Sequence, residues 1–152
     1  MPYYKIHLVG GVASFAFMQF LLSCISFAAQ SPAELSLNVL LALVGSLFPD
    51  IDTFSIIQKI LIWGIFAATV MIFVYQAWWL LLVVGVVMLW LFFVKHRATT
   101  HTKKFVILVP LCVLLFMLFK YPVYATEAFR GYIFFVTGAL SHLALDYNSK
   151  RK

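Results

Sequence analysis

Apolar runs of membrane-crossing length leave this chain little choice of solvent. A hydrocarbon core about 30 Å thick needs roughly 20 apolar residues in a helix, with a range of about 17–25. Six apolar segments can be read, at about residues 8–29, 33–48, 55–74, 77–94, 105–121 and 130–146. Charged residues make up 11% of the 152, against about 25% in soluble domains. Too little polar surface remains to cover a soluble fold. The expectation is an all-α, polytopic membrane helical bundle with about six transmembrane helices, forming one integral domain over residues 1–152.

Local signals place several boundaries. Ser31 can cap a helix, Pro32 suits its first position, and Glu34 completes a Ser-x-x-Glu capping box. Pro49 then ends that segment, and Pro110 is expected to kink the fifth. Tyr75, Trp78 and Trp79 mark an interfacial hairpin between segments three and four. Cys24 and Cys112 lie in different runs without a CxxC spacing, so they are expected to be buried small residues rather than a disulfide. A signal-peptide reading of the N-terminus is disfavoured, because the n-region holds one lysine and the run is long.

With six crossings, both termini fall on one side. That side gathers Lys5, Lys59, Lys95, Arg97, Lys103, Lys104, Lys150, Arg151 and Lys152, while the other has Lys120 and Arg130 beside Glu34 and Glu127. The positive-inside rule makes the first side cytoplasmic. The net charge of +6 is thus assigned to topology, and no nucleic acid partner is expected.

The same threading collects the scarce polar chemistry. All four histidines and three of the five acidic residues fall in four clusters. These are His7, Pro49-Asp50-Ile51-Asp52, His96-Arg97-Ala98-Thr99-Thr100-His101, and Ser141-His142 with Asp146. Asp50 and Asp52 offer oxygen donors on a turn, or else cap helices. His142 and Asp146 are four apart and share a helix face, either as two ligands or as a ligand and its orienting partner. Arg97 carries a planar fork suited to phosphate. Brought to one face, His7, Asp50, Asp52, His96, His101, His142 and Asp146 are candidate metal ligands. They exceed what one ion needs, so two metals, or one metal with acid–base groups, is the natural reading.

These residues in this order resemble the YdjM-like family: His7, Pro49-Asp50-x-Asp52, His96-Arg97-x-x-Thr100-His101 and Gly138-x-x-Ser141-His142-x-x-x-Asp146. The resemblance covers nearly the whole chain. Ala98 and Thr102 stand where the family pattern has glycine and serine. Thr102 keeps a hydroxyl, while Ala98 loses the easy access to positive φ. The family is described as bacterial inner-membrane, LexA-binding proteins with an inferred metal-dependent hydrolase activity, distantly similar to zinc-dependent phospholipase C and P1-type nucleases. The resemblance implies a multi-pass protein of the bacterial inner (cytoplasmic) membrane. It also implies a divalent metal, zinc first and manganese or magnesium as alternatives, a phosphoester substrate that includes membrane lipids, and a soluble regulator such as LexA.

The leading expectation is a metal-dependent hydrolase at the cytoplasmic face, with Asp52 as general base and Arg97 holding the phosphate. A metal-ion transporter would need a polar path at mid-depth, where the chain offers only Ser14, Gln19, Ser23, Asn38 and Thr137. A non-catalytic scaffold or regulator-binding protein is the third class. A lipid phosphatase of the vanadium-haloperoxidase type is excluded, since its Lys-x6-Arg-Pro and Pro-Ser-Gly-His elements are absent.

Overall fold

The computed structural model describes residues 4–27, 31–52, 63–64, 70 and 102–149. The chain divides into two compact units, Met1–Pro49 with His101–Lys152, and Asp50–Thr100. In the second, the described residues are the end of a 3-10 turn and the helical positions Trp63, Gly64 and Val70. Apart from these three positions in segment three, expected segments three and four lie outside the described residues.

The first unit is built from helices α1 (Tyr4–Cys24), α2 (Pro32–Leu47), α3 (Lys103–Lys120) and α4 (Ala125–Ser149). Each boundary has a local cause. After α1, Ser26 takes φ 55°. Its N–H donates to the Ser23 carbonyl at 3.1 Å, and that of Phe27 reaches the Leu22 carbonyl at 2.8 Å. This is a Schellman close, with a serine where glycine is usual and a Phe27–Leu22 packing contact. The expected start of α2 is borne out. Ser31 accepts from the Glu34 N–H at 3.2 Å, with Pro32 opening the helix. A 3-10 turn, Phe48–Asp52, follows α2. Thr102 caps α3 by accepting from the Phe105 N–H at 3.2 Å, which gives that hydroxyl a structural task. The helix runs without interruption past Pro110 and ends before Pro122.

Three of these helices, within Lys5–Cys24, Pro32–Asp50 and Pro122–Tyr147, are long and apolar enough to cross a membrane. Among the described residues three helices can span, and six spans are not supported. The fifth segment does form a helix, but Lys103, Lys104 and Lys120 all fall within its 18 residues. The sixth is longer than expected. At 25 residues it begins before the expected start at about residue 130 and takes Glu127 inside the helix. The cysteines also differ from expectation, for both are free and exposed. On a helix that faces hydrocarbon, the outward side is as hospitable to a small apolar residue as the interior.

α4 is the hub and packs against α1, α2 and α3. α2 and α4 run parallel. Arg130 meets Glu34, and His142 meets Ser46, each pair being 96 positions apart. Glycine permits the approach. A Cβ on Gly138 would sit 2.1 Å from the Ala42 carbonyl oxygen, and one on Gly45 would sit 2.1 Å from that of Phe135. Small residues let helix backbones touch in this way where lipid supplies no hydrophobic drive. α1 lies antiparallel to both, with His7 at His142 and Phe15 at Phe134. Leu22, Ala42 and Phe134 form one buried cluster, and Phe105, Val106 and Ala139 another.

Candidate metal centre

The start of α1, the end of α2 and the last turns of α4 converge on three side chains. His7 is 5% exposed and His142 fully buried, and Asp146 is partly exposed at the rim. The two imidazoles stack, with centroids 3.8 Å apart and planes at 16°. Each directs Nε2 at a different oxygen of one carboxylate. His7 Nε2 lies 3.4 Å from Asp146 Oδ1, and His142 Nε2 lies 3.5 Å from Oδ2. The spacing of four places His142 and Asp146 on one helix face, as expected, and α1 adds His7.

A backbone group fixes the chemistry of His142. Its Nδ1 is 2.7 Å from the Ser46 carbonyl oxygen. A carbonyl only accepts, so Nδ1 carries the proton and donates it. In the neutral ring Nε2 is then a lone pair, facing a carboxylate. Histidines that hold metals have this arrangement, with the second ring nitrogen tied to a carbonyl or carboxylate. The gap is also informative. A charge-assisted N–H···O bond closes to about 2.7–2.9 Å. Two donors each about 2.0–2.2 Å from a tetrahedral zinc stand about 3.4 Å apart. Stacked imidazolium rings would also repel each other, so one carboxylate is poorly matched to two protonated rings. The donor set fits a divalent cation better than it fits two protons.

The rest of the cluster explains the motif around it. Gly138 brings α4 onto α2, and a Cβ there would also sit 3.0 Å from Ser46 N. That contact puts the Ser46 carbonyl within reach of His142 one turn later. Ser141 donates into its own helix, to the Gly138 carbonyl at 2.7 Å. On α1, a Cβ at Gly11 would lie 2.7 Å from Ser46 Oγ, so Gly11 lets α1 approach one turn beyond His7.

The structure thus brings His7, His142 and Asp146 together. Asp50 follows the fully buried Pro49 and is half-buried in the 3-10 turn, at the first position of the second unit. Asp52 ends that turn, and its side chain lies outside the described residues. His96, Arg97 and His101 are also outside the described residues. Ser46 was not foreseen. It acts through its backbone, and a carbonyl acceptor has no residue signature; the adjacent Gly45-Ser46 pair at a helix end was the available hint.

A helical unit with three helices able to cross a membrane is of the membrane-protein class. A family model described as YdjM inner membrane protein matches residues 3–151, and the chain belongs to that family. No curated protein and no solved structure matches the chain.

Proposed function

We propose that this protein is a membrane-bound, metal-dependent hydrolase that acts on a phosphoester, lipid substrates included, at the cytoplasmic face of the inner membrane. The observation that carries the reading is the Ser46 carbonyl on His142 Nδ1, which turns the Nε2 lone pair onto Asp146 opposite His7. His7, His142 and Asp146 would hold the cation. Asp50, one peptide beyond buried Pro49, and Asp52, His96 and His101 complete the proposed ligand set. A divalent ion, zinc first and manganese or magnesium as alternatives, would supply Lewis-acid polarisation of a phosphoryl oxygen and acidify water. Arg97 would bind the phosphate through its fork, and Asp52 would take the proton from the attacking water.

The family's membrane character supports the location, and three span-capable helices support insertion. The side of the termini and the multi-pass topology belong to this proposal. Transport is the weaker reading. Between the two polar ends of the first unit, Ala42 and Phe134 are fully buried in a packed apolar cluster, which suits a one-sided centre. Binding of a soluble regulator is compatible with the same cytoplasmic face.

Elemental analysis of the purified full-length chain tests the centre, alongside His142→Ala and Asp146→Ala. Stoichiometric divalent metal is expected in the parent and its loss in both variants. Release of phosphate from phosphomonoester and phosphodiester lipids in mixed micelles tests the chemistry. Metal retained by both variants would end the site assignment. A metal-loaded protein inert on every phosphoester would leave a binding protein and end the hydrolase reading.

A further inference from the structure

A second polar site lies at the opposite end of the same unit, where α1 ends and α2 and α4 begin. Arg130 is 8% exposed. Its Nη1 donates to Glu34 Oε2 at 2.8 Å, and its guanidinium carbon lies 5.1 Å from the centroid of the Phe27 ring. The Schellman close at Ser26 is what turns Phe27 toward it. Its Nε–H, however, has no hydrogen-bond partner among the described residues, and neither has Glu127 Oε2, three residues earlier on α4. One turn deeper on α2, Asn38 is 3% exposed and its Nδ2 also has no hydrogen-bond partner among the described residues.

Such groups are costly when left alone. A buried polar atom left without a hydrogen bond loses its hydration uncompensated, and a charged one loses more. Here a cationic donor and an anionic acceptor stand open within one turn of each other. A ligand that satisfies both must offer a negative oxygen to Nε and a donor to the carboxylate, and a cationic N–H is the strongest such donor. Depth points to its source. Arg130 is about 8 Å along α4 from its start, at 1.5 Å per residue, close to headgroup level when that helix crosses a bilayer. Phe119 and Val123, 89% and 80% exposed at the same end, offer apolar surface to acyl chains.

We propose that this end binds the headgroup of a zwitterionic aminophospholipid, its phosphate accepting from Arg130 Nε and its primary ammonium donating to Glu127. An anionic phosphatidylglycerol headgroup offers the carboxylate only neutral hydroxyl donors, and a quaternary ammonium has no N–H to give. The site is separate from the metal centre and stands or falls without it.

Native mass spectrometry of the full chain in detergent tests this, with phosphatidylethanolamine, phosphatidylglycerol and phosphatidylcholine of matched acyl chains. Phosphatidylethanolamine is expected to be retained about tenfold more strongly than either of the others, a difference of about 1.4 kcal/mol. Glu127→Gln keeps the Glu34–Arg130 pair, so helix content and bound metal should hold while the preference falls to near parity. Soluble phosphoethanolamine is expected not to compete at matched concentration. Equal retention of the three lipids, a preference unchanged in Glu127→Gln, or full displacement by soluble phosphoethanolamine would each overturn the assignment.

Discussion

The two ends of the α2–α4 pair solve opposite problems with the same register. At one end Glu34 and Arg130 meet, charge against charge. At the other, 12 residues further along both helices, Ser46 and His142 meet through a neutral backbone bond that leaves a ring lone pair aimed at a carboxylate. The first end settles its main charge within the protein. The second concentrates electron donors, and it is there that the proposed cation would sit. Polar residues in a membrane helix are thus of two kinds, and what separates them is whether their nearest partner has the opposite charge or the same appetite.

Breaking the ion pair should have the largest effect on stability. Arg130→Met takes the charge-assisted hydrogen bond from the part-exposed Glu34 carboxylate, and about 2–3 kcal/mol of destabilisation is expected. Adding Glu34→Leu should recover most of it. Thermal melts in detergent read both, and bound metal should stay constant throughout. A double variant no better than the single would mean that Arg130 contributes by packing. Next comes Gly138→Ala, which forces a Cβ against the Ala42 carbonyl. A loss of about 1–3 kcal/mol is expected, together with weaker metal binding, because the Ser46 carbonyl is pushed from His142. Unchanged metal affinity in a destabilised Gly138→Ala protein would uncouple the helix contact from the centre.

Asp146→Asn sharpens the contrast from the other side. Stability without metal should move by less than about 1 kcal/mol, since the carboxylate sits at the rim, whereas metal affinity should fall at least about tenfold. Competition with a chelating dye measures it, and an affinity equal to the parent's would remove Asp146 from the ligand set. The smallest effect is expected from Ser26→Gly. Glycine tolerates φ 55° without a Cβ clash, so a gain of about 0.5–1 kcal/mol is expected. A loss there would show that the Ser26 side chain contributes a contact of its own.

Much of the helical frame was legible in the sequence. Ser31, Pro32, Pro49 and Pro122 mark boundaries because caps and prolines act locally. The pairing of His142 with Asp146 followed from helix periodicity alone. Long-range partners were hidden. Glu34 was read as half of a capping box, yet its carboxylate is held by Arg130, and nothing local to either residue foretells a partner 96 positions away. The convergence of His7, His142 and Asp146 was also easier to see than the orientation of His142, because the Ser46 carbonyl belongs to every residue type alike. Among the described residues, the span reading departed from the structure where charge and length trade against each other. The lysines of α3 sit inside its helix, and Arg130 is buried in a stretch read as a helix start.

The equal offset of 96 at Glu34–Arg130 and Ser46–His142 also bears on how this chain can change over time. Both helices must keep the same number of residues between their two fastenings. A substitution along that interval alters one contact. A single deletion rotates everything beyond it by about 100° and shifts it by about 1.5 Å, so one fastening is lost whichever helix is shortened. The interval can therefore drift in composition but not in length, unless both helices lose or gain residues together.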